Sequence, residues 1–211
     1  MKQTKTLLTP ANCALLLIDY QPQMIFGVQS IDRQTLVNNV TALAKAAKLF
    51  KIPTTLTTVA AKTFSGYIFP EIQAVFPEQK PIDRTSLNSL DDARVEDALK
   101  KHGRKKIIMA GLWTEICLAF PVLSALEDGY EVYIVVDASG ASTTEAHQAA
   151  IQRMMQVGAT PVTWLQVLIE FQRDWAHKAT YDAVLKICQD HGGAYGMGIN
   201  YAHDMLPGAS E

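Results

Sequence analysis

The sequence predicts an α/β fold with three layers (αβα), in which an open, mainly parallel sheet of five to six strands carries helices on both faces. Residues 14–18 form a continuous apolar run, which is typical of a strand buried on both faces of a parallel sheet. Strand-like and helix-like segments then alternate along the chain, as they do in α/β proteins. Three glycines provide stop signals after helix-like segments: Gly103, Gly129 and Gly158.

The first half of the chain contains one strand, helix and strand unit followed by an irregular segment. The strand at 14–18 ends at Asp19, and apolar residues at helical spacing predict a helix between 36 and 50. A second strand, rich in Thr and Val, is predicted at 54–60. Residues 61–90 carry three prolines and little periodicity. This longest irregular segment is therefore a candidate functional loop.

The second half alternates helices and strands more regularly. Helix caps are predicted at Asp91 or Asp92 and at Thr143 or Thr144. The predicted elements are a helix from the first cap to about residue 101, a strand at 106–110, a helix from about 114 to 128, a strand at 131–136, a helix at 145–157, a strand at 160–164 and a helix at 165–175. The tail at 192–211 shows no core pattern.

Length and composition predict a single domain. The chain has 211 residues, of which 48% are apolar, and this is enough to form one sizeable core. We therefore predict one domain over residues 1–211. Within it, residues 177–211 are expected to form a C-terminal extension that takes part in oligomer contacts.

Charge and cysteine content narrow the classes of function. The formal charge is -2, from 19 basic and 21 acidic residues without a long run of either sign, so a small-molecule partner is favoured over nucleic acid or a membrane surface. Cys13, Cys117 and Cys188 are too scattered for a disulfide framework or a zinc site. No apolar run approaches the length of a membrane span and no GxGxxG follows the first strand. We predict a cytoplasmic protein without a cofactor.

Two residues lie where open α/β sheets bind their ligands, which is at the carboxyl ends of the strands. Asp19 ends the first strand, and Cys117 follows the strand at 106–110 near the start of a helix. The positive end of a helix dipole and its unpaired N–H groups favour thiolate over thiol. Pro121 is expected to kink or loosen this helix. The alternatives are an inert buried thiol for Cys117 and a capping role for Asp19.

Several motifs resemble the isochorismatase-like cysteine hydrolase superfamily. The two motifs that contain the candidate residues are LLLIDYQ, which ends at Gln21, and GLWTEIC, which ends at Cys117. Further segments are similar to the YcaC-like branch of that superfamily: AFPVLSAL at 119–126, VDASG at 136–140, TW at 163–164 and RDW at 173–175. The resemblance covers about residues 10–176.

The resemblance implies a triad of Asp, Lys and Cys. Asp19 would take the thiol proton, and Cys117 would attack an amide carbonyl before water releases the acyl-enzyme. Where the superfamily usually has Lys, this sequence has Arg84, which can hold a carboxylate but cannot shuttle protons. The resemblance also implies a cis peptide between Leu112 and Trp113, with the N–H groups of Trp113 and Cys117 forming an oxyanion hole.

The predicted function is therefore a cysteine hydrolase that cleaves an amide or other C–N bond of a small molecule. Tyr20, Phe64 and Trp113 are candidate walls of its substrate pocket. Nicotinamidases of the superfamily bind zinc through an Asp-x-His motif, but residues 57–67 contain no histidine, so we predict no metal. The resemblance further implies a homo-oligomer, often octameric. Two alternatives remain: a retired site on an oligomer kept for binding or assembly, and vinyl-ether hydrolysis of the isochorismatase type.

Overall fold

The computed structural model describes residues 6–206. Residues 1–5 and 207–211, which belong to the predicted domain and its extension, lie outside this range. The strands are β1 Cys13–Ile18, β2 Thr54–Val59, β3 Ile82–Arg84, β4 Lys106–Gly111, β5 Glu131–Val135 and β6 Thr160–Val162. Within the described residues they form one sheet in the order β3-β2-β1-β4-β5-β6, in which every neighbouring pair is parallel. The predicted α/β class is confirmed.

Helices cover both faces of this sheet. Their bounds are α1 Pro22–Phe26, α2 Arg33–Leu49, α3 Pro70–Val75, α4 Ala93–His102, α5 Ala119–Glu127, α6 Thr144–Gln156, α7 Trp164–Gln172, α8 Lys178–His191 and α9 Ala194–Met205. On one face α2, α7 and α8 contribute to one hydrophobic cluster, and on the other α4, α5 and α6 contribute to a second. Every residue of β1, β2 and β4 is buried, which explains the apolar runs in the sequence.

The topology places a switch point at the centre of the sheet. The strand β1 pairs with β2 on one side and with β4 on the other. The connections from these strands therefore lead in opposite directions, and a crevice opens between the carboxyl ends of β1 and β4. Ile18 pairs with Gly111 at this end. Residues that follow either strand are consequently brought together there.

The segment at 61–90 is more regular than predicted. It contains a π-helical turn at Ala61–Ser65, the helix α3 and the edge strand β3. Sequence patterns missed β3 because it has only three residues, and two of them, Asp83 and Arg84, are charged. Such a strand shows no apolar alternation. The prediction of one long irregular loop was therefore wrong.

Two further elements differ from the prediction. The tail expected to lack a core pattern forms α9 over most of its described part, and Gly196 lies close to the carbonyl oxygens of Cys188 and Gln189 in α8. The helix predicted from 114 to 128 is divided into a π-helical turn, Thr114–Leu118, and α5. The irregularity thus lies before Pro121, which occupies the first turn of α5, where a missing N–H is tolerated.

No described helix combines the length and the apolar character that a membrane span requires.

Candidate active site

Asp19 lies immediately after β1 and is fully buried. Its backbone is left-handed, with φ of 59°, a conformation that Asp tolerates better than most residues do. Its N–H donates to the carbonyl oxygen of Thr57 at 3.2 Å, and its Oδ1 accepts a hydrogen bond from Thr57 Oγ1 at 3.1 Å. The end of β2 therefore fixes both the backbone and one carboxylate oxygen of Asp19.

Arg84 reaches Asp19 from the edge strand β3. Its Nη2 donates to Asp19 Oδ2 at 2.8 Å, and the two side chains are only 1% and 0% exposed. Its Nη1 donates to the carbonyl oxygen of Ser86 at 2.5 Å. Because β3 pairs with β2, Val59 lies opposite Arg84, and the guanidinium extends across the end of β2. The arginine at the usual lysine position is therefore bound directly to the candidate base.

Cys117 lies in the π-helical turn that follows β4 and is buried. The Asp19 carboxylate and the backbone N–H of Trp113 both influence the pKa of its thiol, so both groups lie near the sulfur. Burial raises the pKa of the Cys117 thiol to about 12, with the negative charge of Asp19 as the next cause, while Arg84 acts in the opposite direction. The resting side chain is a thiol.

Burial and the Asp19 charge act against the helix dipole at Cys117. The helix dipole was expected to favour the charged form, but burial and the adjacent carboxylate outweigh it. Burial also raises the pKa of Asp19, opposed mainly by Arg84. Arg84 thus opposes the rise in the pKa of Asp19, and it also acts to lower the pKa of the Cys117 thiol.

The peptide bond between Leu112 and Trp113 is cis, at the position that the resemblance implies. Two glycines allow the chain to pack closely around it. A Cβ at Gly111 would lie 2.7 Å from Ile18 Cβ, and a Cβ at Gly27 would lie 2.5 Å from Trp113 Cζ2. The indole Nε1 of Trp113 donates to the carbonyl oxygen of Met24 at 2.7 Å. Trp113 is therefore held against the end of α1.

Gly27→Ala is predicted to displace the Trp113 ring. The φ of Gly27 is -81°, so alanine causes no backbone strain, and the contact with the indole is the only close one. A displacement of about 1 Å near a reacting centre lowers the rate by up to about 100-fold. We expect kcat/KM to fall by about 10-fold or more. Gly198→Ala is the control because nothing lies within 4 Å of its new Cβ, and equal activities of the two variants would contradict the prediction.

The three candidate pocket residues lie in different environments. Tyr20 is fully buried in the core, where its hydroxyl donates to the carbonyl oxygen of Ala138 at 2.5 Å. Phe64 is 67% exposed in the turn after β2. Trp113 is partly buried next to Cys117. The structure thus brings Asp19, Arg84, Cys117 and Trp113 together, whereas Tyr20 packs into the core.

Sequence reasoning gave no role to Gln21, although it is part of a quoted motif. Its buried amide acts as an additional pairing partner for the end of β2: Oε1 accepts from the N–H of Val59 at 2.9 Å, and Nε2 donates to the Val59 oxygen at 3.1 Å. Nε2 also donates to the carbonyl oxygen of Gly66 at 2.6 Å. A polar residue inside an otherwise apolar segment was the available signal.

A second missed group supports the turn that carries Cys117. Glu115 Oε1 accepts hydrogen bonds from the N–H and the hydroxyl of Ser142, at 3.1 Å and 2.6 Å. The N–H of Thr114 donates to the carbonyl oxygen of Gly140 at 2.9 Å. The loop after β5 is therefore hydrogen-bonded to the turn Thr114–Leu118 and fixes its position.

Among residues 6–206, no three His, Cys, Asp or Glu side chains are grouped to bind a metal.

Asp19→Asn is predicted to make Cys117 more reactive towards alkylation while lowering turnover. Burial, the largest cause of the raised thiol pKa, stays in the variant, but the substitution removes the Asp19 charge, which is the next cause, and the positive charge of Arg84 remains. Each unit by which the pKa falls increases the thiolate fraction about tenfold. Iodoacetamide at pH 8 should therefore modify Cys117 about tenfold faster or more in the variant, as measured by intact mass and peptide mapping. Slower modification would show that Asp19 activates the resting thiol.

Comparisons with known protein families, sequences and structures all identify the same group of relatives. The isochorismatase domain family matches residues 13–166. The probable hydrolase YcaC of Escherichia coli K12 is 40% identical over 165 residues, which cover 78% of this chain and 79% of that protein. The crystal structure of E. coli YcaC, described as an octameric hydrolase of unknown specificity, aligns with a TM-score of 0.90 and 35% identity over 98% of this chain and 100% of that chain.

YcaC from Pseudomonas aeruginosa is equally similar in structure. It was solved with hexane-2,5-diol and covalent acrylamide, and it aligns with a TM-score of 0.90 and 34% identity. The alignment covers 96% of this chain and 100% of that chain. The similarity therefore extends beyond the family match into the C-terminal helices.

Proposed function

Since the chain belongs to the isochorismatase family and is a YcaC-like hydrolase, we propose that it is a cysteine hydrolase that cleaves an amide or other C–N bond of a small molecule. One observation carries this proposal: the Cys117 thiol lies beside a buried Asp19 carboxylate, which is itself bound by Arg84 at 2.8 Å. A nucleophile, a base and a group that orients the base are the parts required for covalent catalysis of acyl transfer.

In the proposed reaction, Asp19 takes the proton of the thiol as the sulfur of Cys117 attacks the substrate carbonyl. A C–S bond forms, and the N–H groups of Trp113 and Cys117 donate to the resulting oxyanion. Collapse of this intermediate breaks the C–N bond, and Asp19 gives its proton to the leaving nitrogen. Water then attacks the thioester with Asp19 as base, the C–S bond breaks, the carboxylic acid leaves, and the proton on Asp19 returns to the sulfur of Cys117.

Arg84 stabilises charge in this scheme and transfers no proton, because a guanidinium stays protonated. Before attack it balances the Asp19 carboxylate, and after proton transfer it balances the negative charge on sulfur or oxygen. The site therefore keeps the same total charge throughout. This property is favourable in a buried site, where an uncompensated charge is costly.

The relative from P. aeruginosa gives further support. Acrylamide is bound covalently to that protein, and since acrylamide is an electrophile, this supports a reactive nucleophile rather than a particular substrate. For this chain we assign comparable nucleophilicity to Cys117, because the other two described cysteines, Cys13 and Cys188, belong to the hydrophobic cluster on the other face of the sheet. All three thiols are free, which fits the proposed cytoplasmic location.

A screen of small primary amides and carbamoyl compounds tests the proposed function. Ammonia release should be accompanied by a transient mass increase on Cys117 that equals the acyl group. Release without any acyl-enzyme under rapid quenching would contradict the thioester mechanism. Turnover of vinyl ethers instead of amides would favour isochorismatase-type chemistry, and inertness of every compound would favour a retired site.

We also propose that a second copy of this chain covers one face of α9. Gly196 brings α9 close to α8, and the exposed side chains of Met197, Tyr201 and Met205 follow at intervals of four residues on one side of the helix. Exposed apolar patches of this kind mark interaction sites. The octameric E. coli relative aligns over 98% of this chain, which supports a homo-oligomer with this extension in the contact.

Tyr201→Glu is predicted to weaken that assembly. A charge at the centre of a subunit contact is costly to bury, so light scattering with size exclusion should show a smaller species than the wild type. Val157→Glu is the control, because Val157 is an exposed apolar residue at the end of α6. The same mass for Tyr201→Glu and the wild type would place the contact elsewhere.

A further inference from the structure

One histidine connects the C-terminal end of α8 to α2. The ring of His191 contacts two side chains of α2: its Nδ1 lies 2.9 Å from Asn38 Oδ1, and its Nε2 lies 2.8 Å from Lys45 Nζ. Asn38 Nδ2 also donates to the backbone oxygen of His191 at 2.9 Å. We refer to Asn38, Lys45 and His191 as the His191 cluster. It binds the last residue of α8 to α2 through three hydrogen bonds.

The hydrogen bonds of the His191 cluster require a neutral imidazole. The amide of Asn38 donates to a carbonyl oxygen through Nδ2, so its Oδ1 is the acceptor and His191 Nδ1 is the donor. A lysine ammonium can only donate, so His191 Nε2 is an acceptor and carries no proton. Protonation of the ring would place an N–H and a second positive charge 2.8 Å from Lys45 Nζ. The contact with Lys45 is therefore incompatible with a charged His191.

The other charged groups around His191 come from α8 and from the loop after β5. Asp190 in α8 acts on the ring, but it is already paired with a lysine one turn earlier. Asp137 lines the groove beside the ring, and its Oδ1 accepts a hydrogen bond from the first N–H of α7. The residues of α7 that line this groove are uncharged, and Tyr195 at the start of α9 stays neutral because burial raises its pKa. Lys45 is thus the cation that a protonated ring would face.

We propose that the His191 cluster is a pH-sensitive switch, which holds α8 and α9 against α2 while His191 is neutral and releases them when His191 is protonated. The helix α9 begins at Ala194, shortly after His191, and packs on α8. Release of His191 therefore also loosens α9. This inference goes beyond the proposed hydrolysis and does not depend on it. Since α9 carries the face proposed for contact with a second copy, acid is expected to weaken that assembly as well.

The direction of the pH dependence follows from the surroundings of His191. Burial lowers the pKa of His191, the charge of Lys45 lowers it further, and Asp190 acts in the opposite direction. In the released state the ring regains its ordinary pKa of about 6.5. The His191 cluster therefore contributes its full stability above about pH 6.5. This contribution is lost as the pH falls through the lowered pKa of the bound ring.

Hydrogen exchange measured by mass spectrometry at pH 7.5 and pH 5 tests the switch. Protection factors, which correct for the intrinsic exchange rate at each pH, should fall by about tenfold in acid over the end of α8 and α9. The reason is that one proton taken up on release shifts the opening equilibrium by up to about tenfold per pH unit. Peptides from β1 and β4 in the same run report general loosening. An equal fall in those strands, or no fall in α8 and α9, would overturn the proposal.

Lys45→Met separates the switch from a general effect of acid. Without the second cation, a protonated ring can stay bound to Asn38, so α8 and α9 should keep the same protection at both pH values. Lys48→Met is the matched control, because Lys48 is an exposed residue of the same helix whose Nζ lies over the ring of Phe76. This variant should respond to acid as the wild type does. A wild-type response in Lys45→Met would contradict the switch.

His191→Gln provides a second variant that does not depend on the packing of Lys45. Glutamine is uncharged at both pH values, so the response to acid should disappear even where the protection of α8 and α9 is lower throughout. A response that persists in His191→Gln would assign the pH dependence to another group. None of these measurements uses a substrate. Their failure is therefore distinguishable from failure of the proposed hydrolysis.

Discussion

Cys117→Ala is expected to reduce kcat by a factor of at least about 10⁴, because removal of a nucleophile from a catalytic triad has effects of about 10⁴ to 10⁶. The substitution removes the sulfur that forms the acyl-enzyme in the proposed mechanism. The variant should remain folded, since a buried cysteine packs as a small apolar side chain and alanine leaves only a small void. Steady-state ammonia release measures the effect on an amide that the wild type hydrolyses.

Cys188→Ala provides the matched control. Cys188 is also buried and free, but it lies in α8 in the hydrophobic cluster on the other face of the sheet. We expect its kcat to stay within about twofold of the wild type, because a void far from the chemistry acts through stability rather than turnover. Residual activity of Cys117→Ala above about 1% of the wild type would contradict the covalent mechanism.

Arg84→Ala is expected to lower the free energy of unfolding by about 3 to 5 kcal/mol, the usual cost of removing one partner from a buried ion pair. The variant leaves the fully buried Asp19 carboxylate without its cation. The pKa of Asp19, already raised by burial, should rise further. A group with a raised pKa in the folded state stabilises that state most at low pH and loses this contribution as the pH rises through the folded pKa.

The difference in stability between the wild type and Arg84→Ala should therefore widen from pH 5 to pH 8. Urea unfolding at both pH values measures it. Arg84→Lys, which keeps the charge, should recover part of the stability. Arg94→Ala is the control because the Arg94 to Asp92 pair has a 63% exposed arginine, and exposed pairs contribute about 1 kcal/mol or less. Equal losses for Arg84→Ala and Arg94→Ala would contradict the prediction.

The sequence predicts the centre of the fold better than its edge. The strands β1 and β4 are buried along their whole length, so their apolar runs identify them. The strand β3 has a partner on one side only and carries Asp83 and Arg84, so no apolar pattern marks it. Local patterns can therefore place Asp19 and Cys117 at the carboxyl ends of strands. They cannot place Arg84, which was identified through the family resemblance alone.

The details of the site depend on contacts between distant segments. Tyr20 follows Asp19 directly in the chain, but its side chain extends into the core towards Ala138, which a single sequence does not reveal. The protonation state of Cys117 likewise depends on Asp19 and on burial, and neither contact is visible from the start of a helix. Spacing along the chain predicts which strand a residue follows, but it does not predict what the side chain touches.

The short edge strand has a consequence for how this protein loses activity. Only three residues of β3 pair with β2. A short edge strand of this kind separates from its sheet at a lower free-energy cost than a central strand does. Opening β3 separates Arg84 from Asp19 while the other five strands stay paired. Mild denaturant should therefore lower the activity before most of the secondary structure unfolds, and amide hydrogen exchange should be faster in the short edge strands β3 and β6 than in the central strands.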